Sequence, residues 1–96
     1  KDYIKDILFG VKSKEREIEK LISDNLKKGW NIERISKVDI TLLKIAIYEI
    51  NEKNIPYKIV INEAVELAKK YAEDASPSFI NGVLASIIKQ NDIKGE

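Results

Sequence analysis

Two carboxylates and two ammonium groups lie close together in one stretch of the sequence. Glu63 and Glu66 are three residues apart, and Lys69 and Lys70 follow within one helical turn of Glu66. Paired carboxylates can act as general acid and base in an apolar cleft, but lysines at i+3 and i+4 favour ordinary ion pairs on a helix surface. The chain also has no His and no Cys, so the commonest general base, thiolate ligands and disulfides are excluded. We therefore expect no catalytic activity, no cofactor and no metal site.

The charges are balanced along the chain. Lys and Arg number 17 and Asp and Glu number 16, which gives a net charge of +1. The two lysine pairs, Lys27–Lys28 and Lys69–Lys70, are expected in the last turns of helices, where they oppose the negative end of the helix dipole. Charge alone therefore does not predict nucleic-acid binding.

Length and hydropathy set the domain organisation. The 96 residues suffice for one small domain, 1–96, and are too few for two hydrophobic cores. No apolar run approaches the roughly 20 residues that a membrane helix needs, and no basic start followed by an apolar core indicates a signal peptide. We expect a cytoplasmic protein with no membrane partner.

The first third of the chain has the hydrophobic spacing of two helices. Asp2–Phe9 has apolar residues at helical spacing and should end at Gly10. A second, amphipathic helix should begin at Ser13 and end at Gly29 in the left-handed conformation. Trp30 then lies in the connection, where its ring is expected to cover the edge of the core; stacking on a ligand is the alternative.

A third helix is predicted from about Lys37 to Glu52. Ser36 and Asp39 resemble a capping box at its start, with Asp in place of the preferred Glu. Apolar residues then leave almost no continuous polar face, so this helix should be the buried centre of the fold. Lys44 and Glu49 lie among apolar neighbours, where they must reach solvent, pair or meet a partner, and reaching solvent is the expected outcome.

Two further helices are predicted in the second half. The first should run from about Pro56 to Tyr71, and the second from Pro77 to about Gln90 with Ser76 as its N-cap. The segment Tyr57–Ile61 has the β-branched composition of a strand. We predict helix there instead, because no second alternating segment exists to pair with it and no turn signal follows.

Several segments carry a specific resemblance to a known family. They are Trp30, Arg34-Ile35, Val38-Asp39, Leu43–Ile50 (LKIAIYEI), Ile55–Lys58 (IPYK), Ile61–Lys69 (INEAVELAK) and Phe79–Leu84 (FINGVL). In this order and spacing they resemble the carboxy-terminal two thirds of the NusB family of transcription antitermination factors. The resemblance implies an all-α helical bundle of the NusB type, of which this chain supplies the carboxy-terminal portion with about four helices. It also implies partners: boxA RNA, the small-subunit ribosomal protein that serves as NusE, other Nus factors and RNA polymerase.

The resemblance and the predicted start of the last helix together indicate which residues bind RNA. The candidates are Lys58, Asp74, Ser76, Phe79 and Asn81. Phe79 offers a ring face to a splayed base, Asn81 a hydrogen bond to a base edge, and Lys58 a phosphate contact. A Ser76-capped helix start would attract a phosphate that Asp74 repels.

Other interpretations of these residues remain open. Phe79 alternatively fills the core at the start of the last helix. Gly82 is expected to allow a neighbouring helix to approach closely. Glu33 and Asp39 are placed by the resemblance on the side that meets NusE, but they could equally be a solvated loop charge and half of the Ser36 cap.

The chain departs from the family in two places. Family members open with an arginine-rich segment and helices that contribute to RNA binding. The sequence shows no such segment before Lys1, and RNA affinity is expected to be weak if the protein lacks it. Ser76-Pro77-Ser78 stands where the family often has a basic residue just ahead of the Phe. The loss of that residue puts one phosphate contact in doubt.

Two alternatives to a free-standing antitermination factor remain. One is the NusB-like amino-terminal domain of a ribosomal RNA cytosine methyltransferase, and the other is a helical interaction domain with no RNA role. The polar end Asn91–Glu96 favours the free-standing factor, because it does not resemble a linker into a cofactor-binding domain. An apolar face left open by the missing helices also predicts a homodimer or a larger species.

Overall fold

The computed structural model describes residues 2–91, and every regular element within them is a helix. The α-helices are α1 Asp2–Ser13, α2 Glu15–Asp24, α3 Lys37–Glu52, α4 Tyr57–Tyr71 and α5 Ser76–Gln90, and a short 3-10 helix spans Ile32–Arg34. The all-α prediction is confirmed, with five α-helices where about four were expected. Helix rather than strand is also confirmed for Tyr57–Ile61. The predicted polar end lies beyond Asn91, outside the described residues.

The third helix is the buried centre, as predicted. Its residues Leu43 and Ile47 are fully buried, and α3 contacts each of the other four α-helices. The other side chains at the centre of the core come from three of those helices: Ile22 of α2, Val60 of α4, and Ile80 and Leu84 of α5. One apolar core therefore joins the five α-helices.

The last three helices form an up-down-up unit. Four residues connect α3 to α4 and four connect α4 to α5, and such short connections make each pair antiparallel. The starts of α3 and α5 consequently meet at one end, where the Ser76 hydroxyl donates to the Asp39 carboxylate at 3.0 Å. The start of α4 lies at the opposite end.

The predicted end of α1 at Gly10 is wrong. The helix continues through Gly10 to Ser13. Gly10 is buried against the Tyr48 side chain of α3, which a Cβ at this position would overlap. This glycine therefore allows a close approach between helices and does not end one. Ser13 does not begin α2 either: its hydroxyl donates to the Gly10 carbonyl at 2.9 Å, and α2 begins at Glu15.

The predicted end of α2 at Gly29 is also wrong. The helix stops at Asp24 because Asn25 caps it, with its side-chain amide donating to the Leu21 carbonyl at 2.8 Å. Lys27 and Lys28 consequently lie in the following loop and not in a last helical turn. Gly29 does adopt the left-handed conformation, with φ of 89°, but within that loop.

Lys44 is paired and does not extend to solvent as expected. Its ammonium group donates to Glu15 at 2.7 Å and to Glu19 at 2.8 Å, joining α2 to α3. Burial opposes the Lys44 charge, but the two carboxylate hydrogen bonds outweigh it and raise the pKa of Lys44. The hydrogen bond between Lys44 and Glu15 also lowers the pKa of Glu15. The predicted extension of Lys44 to solvent is wrong because α2, although distant in sequence, places two carboxylates within hydrogen-bonding distance of the ammonium group.

Polar contacts also attach α1 to α3. Glu49, the other charge expected to reach solvent, accepts a hydrogen bond from the Tyr3 hydroxyl at 2.7 Å. Lys53 pairs with Asp6. The outer face of α1 carries three exposed apolar side chains, Ile4, Leu8 and Phe9.

Candidate nucleic-acid interface

Phe79 is stacked on Trp30. The two ring centroids are 5.8 Å apart and the ring planes are 28° from parallel. Phe79 is half-buried against the core, whereas Trp30 is 53% exposed. Trp30 therefore covers the edge of the core through Phe79, and it carries most of the exposed aromatic surface of the pair.

A tight turn fixes the position of Trp30. The Trp30 N–H donates to the Lys27 carbonyl at 3.0 Å, and Gly29 between them has positive φ. A glycine adopts that conformation without the steric cost that a Cβ would bring. The turn returns the chain from the end of α2 to the start of α5.

Ser76 is not the N-cap of α5 as predicted. Ala75 occupies the cap position and makes no side-chain hydrogen bond, while Ser76 is buried in the first helical turn. Its hydroxyl donates to Asp39, because the carboxylate is a stronger acceptor than anything the helix start offers. The Ser76 hydroxyl is thus already bonded and does not face solvent beside a phosphate.

Asp39 forms only half of the predicted capping box. Its backbone N–H donates to the Ser36 hydroxyl at 3.2 Å, but its carboxylate turns away to Ser76. The second carboxylate oxygen, Oδ1, is buried without a hydrogen-bond partner among residues 2–91. The first turns of α3 and α5 both lie beside this carboxylate.

Gly82 is open to solvent, so the predicted close helix approach at this residue is wrong. A Cβ added to Gly82 would meet no atom within 4 Å. The residue lies on the face of α5 that points away from the core, beside the exposed Asn81. Its missing side chain leaves a gap on the surface and does not serve packing.

The fold brings most of the candidate residues to one end of the molecule. Phe79, Ser76 and the exposed Asp74 lie at the start of α5, and Asp39 is bonded to Ser76. Glu33 is exposed in the 3-10 helix, four residues before α3 begins. The residues assigned to RNA and those assigned to NusE are therefore neighbours. The structure gives Asp39 a buried position, and its contact with NusE stays a prediction.

Lys58 lies apart from this group. It is exposed in the first turn of α4, whose antiparallel packing places it beside the end of α5. Thirteen residues of helix separate it from Tyr71, so it is roughly 20 Å along the axis from the start of α5. An RNA strand that contacts both Phe79 and Lys58 has to run along the helical hairpin.

The paired carboxylates of α4 form no catalytic cleft. Glu66 makes an exposed ion pair with Lys69 at 3.1 Å, and Glu63 is exposed. Among the described residues, no group of His, Cys, Asp and Glu side chains is placed to hold a metal ion. None of the helices described is both long and apolar enough to span a membrane.

Comparison with known proteins decides the family. The sequence profile of the NusB family matches residues 1–89. The chain belongs to the NusB family. It is 49% identical over 88 residues to the transcription antitermination protein NusB of Clostridium novyi (strain NT), covering 91% of this chain and 65% of that protein. The NusB of Clostridium botulinum (strain Kyoto / Type A2) is likewise 49% identical over 88 residues, covering 91% and 61%.

A solved structure of T. maritima NusB has the same fold. Its TM-score to this chain is 0.83 at 38% identity, and the match covers 88% of this chain and 60% of that one. The NusB-type bundle is therefore confirmed. The chain spans less than two thirds of the length of each of these relatives.

The sequence interpretation favoured covering the core over ligand stacking for Trp30 and did not include it among the RNA-binding candidates. Covering the core accounts for only one face of the indole, and the ring is 53% exposed. A signal was present: the only Trp of the chain follows two lysines and a glycine in a connection.

Proposed function

We propose that the chain acts in transcription antitermination, binding boxA RNA together with the ribosomal protein that serves as NusE. Membership of the NusB family, whose relatives above are named transcription antitermination proteins, is the observation that carries the proposal. Other Nus factors and RNA polymerase are the further partners, and the cytoplasm is the location. The chain binds and does not catalyse.

The RNA surface of this proposal is the end of the bundle where α3 and α5 begin. Phe79 and Asn81 contribute an aromatic ring and an amide there, and the exposed Asp74 carboxylate repels the approaching phosphates. Lys58 adds a phosphate contact where the RNA runs along the α4–α5 hairpin. Glu33 and Asp39 provide negative charge on the adjacent side, where a basic ribosomal protein is attracted.

Fluorescence anisotropy of a labelled boxA RNA, with and without purified NusE, tests the proposal. Phe79→Ala should weaken binding, and Asp74→Asn should strengthen it modestly, with the gain shrinking as salt rises. Lys58→Ala should weaken binding and lower the slope of log affinity against log salt by about one. A scrambled RNA of equal length is the control. Equal affinity for boxA and scrambled RNA, with NusE present, would contradict the proposal.

We also propose that the chain self-associates through the outer face of α1. Ile4 is 62% exposed and Phe9 is 76% exposed, with Leu8 between them on the same face. Asp2 and Lys12 lie near opposite ends of that helix, so two antiparallel copies of α1 place opposite charges beside each other. Light scattering should show a dimer or larger species that Phe9→Lys converts to monomer. A monomer over a wide concentration range would exclude self-association.

A further inference from the structure

One stripe of α5 is open between two contacts with the loop that follows α2. Phe79, Gly82 and Ser86 lie on one face of the helix, at i, i+3 and i+7. The loop touches both ends of this stripe: Trp30 stacks on Phe79, and the Asn25 side chain accepts a hydrogen bond from the Ser86 hydroxyl at 2.7 Å. Gly82 lies between these contacts. We call the opening bounded by these five residues the Gly82 notch.

The exposed face of Trp30 is a preformed stacking surface beside the notch. The Phe79 ring packs against one face of the indole, and the turn at Gly29 fixes the backbone of Trp30 through its N–H. A ring held in this way loses little conformational freedom when a second flat ring stacks on its outer face. The core does not need this outer face, because Phe79 already fills the space beneath it.

The same loop supplies positive charge. Lys27 and Lys28 are exposed, and neither forms an ion pair with the residues that the structure describes. They precede Trp30 by only three and two residues, within reach of the backbone of a strand whose base lies on the indole. Aromatic stacking combined with lysine contacts to phosphate is the usual way in which proteins hold unpaired nucleic acid.

We propose that the Gly82 notch binds one unpaired base of single-stranded RNA, stacked on the outer face of Trp30, with the flanking phosphates held by Lys27 and Lys28. The missing side chain at Gly82 leaves room for the base or its ribose against α5. This inference rests on RNA binding as the proposed function, and it assigns the direct base contact to Trp30 and a supporting role to Phe79. Double-stranded RNA does not fit, because its base faces are covered by neighbouring base pairs.

The single Trp of the chain allows a direct test. The wild-type chain is titrated with a single-stranded boxA oligoribonucleotide, and separately with the same RNA annealed to its complement. Tryptophan fluorescence reports stacking, and anisotropy of the labelled RNA reports binding. Single-stranded RNA should quench the tryptophan over the concentration range in which anisotropy rises, and the duplex should not.

Two variants of the notch separate stacking from folding. Trp30→Ala should weaken binding about 5-fold to 150-fold, the range of one lost base–aromatic stack, whereas Trp30→Phe should retain most of the affinity. Gly82→Leu fills the notch without removing either ring, and should weaken binding about tenfold while leaving the melting temperature unchanged or higher. Leu67→Ala, which removes an exposed apolar side chain of α4 at which no RNA or self-association contact is proposed, is the control and should bind RNA as the wild type does.

The possible failures are distinguishable. If Trp30→Ala and Gly82→Leu bind boxA RNA as tightly as the wild type and no quenching occurs, the notch is not the base site, although the proposed function stands. If no form of the chain binds boxA RNA, with or without NusE, both proposals are wrong. If Trp30→Ala loses purified NusE but keeps RNA, the notch is a protein interface and the RNA assignment is overturned.

Discussion

The α3–α5 unit and the α1–α2 pair are attached to the same core by different means. Side chains at the α3–α5 contacts are almost entirely apolar, with Val60, Ile80 and Leu84 fully buried and Asp39–Ser76 as the one buried polar pair among the residues described. The α1–α2 pair does bury Ile18 and Ile22 against α3, but much of its attachment is polar, through Lys44 with two glutamates, Tyr3 with Glu49, and Lys53 with Asp6. Apolar burial involves no titrating group and is not screened by salt, whereas exposed ion pairs are screened by salt and are lost when a partner is neutralised. The two regions should therefore respond differently to the same change in conditions.

Removing core volume from α5 should have the largest effect. Leu84 is fully buried, so Leu84→Ala should lower the free energy of unfolding by about 2–5 kcal/mol through lost burial and a residual cavity. Leu8→Ala on the outer face of α1 makes the same chemical change and, at protein concentrations too low for self-association, should cost less than about 0.5 kcal/mol. Urea unfolding at such a concentration, followed by circular dichroism, measures both. Equal losses would mean that Leu8 is packed within the monomer.

Substitutions at two helical glycines should have the next largest effects on stability, with opposite signs. One glycine is packed against a side chain and the other faces open space. Gly10→Ala places a Cβ against the Tyr48 ring and should destabilise by about 1–2 kcal/mol after the gain in helix propensity is subtracted. Gly82→Ala faces open space and should stabilise by about 0.5–1 kcal/mol. Differential scanning calorimetry of the two variants should shift the melting temperature in opposite directions. A stabilising Gly10→Ala would mean that α1 does not pack on Tyr48 as described.

Breaking the Lys44 triad should have a smaller effect, confined to the α1–α2 side. Lys44→Met leaves Glu15 and Glu19 facing each other without the cation, and should cost about 1 kcal/mol because both carboxylates are partly solvated. Lys20→Met breaks an exposed pair with Asp24 within α2 and is the matched control, with less than about 0.5 kcal/mol expected. Relative to the wild type, Lys44→Met should accelerate amide hydrogen exchange more in α2 than in α4. Uniform acceleration in both helices would show that the two regions unfold together.

The same triad gives the α1–α2 side a pH dependence with a definite sign. The pKa of Glu15 is lowered in the folded state. Its contribution to stability is therefore present above the usual carboxyl pKa and is lost as pH falls through the pKa of the folded state. The pKa of Lys44 is raised in the folded state. Its contribution to stability is therefore present below the usual lysine pKa and is lost as pH rises through the pKa of the folded state. Lys44→Met should therefore flatten the acid side of the stability profile. A profile identical to that of the wild type would exclude a contribution from the triad.

The smallest expected effect concerns Tyr3. Its hydrogen bond to Glu49, together with burial and nearby carboxylates, raises the pKa of Tyr3 from 10.0 to about 12. Stability from this contact is fully present below pH 10 and is lost as pH rises toward 12. Tyr ring resonances followed by NMR should show one late-titrating ring that is absent in Tyr3→Phe. Titration of Tyr3 at the usual pH would show that α1 does not hold the hydroxyl against α3.

The three helices of the α3–α5 unit were predicted closely, and the first two were not. The predicted ranges 37–52, 56–71 and 77–90 differ from the observed ones by at most one residue at each end. The hydrophobic pattern and the two prolines are local signals that act within the segment they define. The end of α1 was predicted wrongly at Gly10 because glycine occurs both at helix ends and at close contacts between helices. Only the position of Tyr48 distinguishes the two cases.

The candidate site was predicted in composition but not in arrangement. The motif containing Phe79 and Asn81 was found from the sequence. Its neighbour Trp30 lies 49 residues earlier, and Asp39 lies 37 residues before Ser76. No local pattern encodes such pairs, because each depends on how separate helices pack.

The sequence by itself determined that the chain is helical, where α3, α4 and α5 lie, that α3 is buried, and that the chain resembles the NusB family. These follow from periodicity, capping and motif spacing, all of which act over one or two helical turns. Only the tertiary structure decided that Lys44 is paired, that Ser76 faces Asp39, that Gly10 is packed and Gly82 open, and that Trp30 lies on Phe79. Each of these depends on which surfaces meet when the apolar stripes of separate helices are buried together, and that choice is made by the whole chain at once.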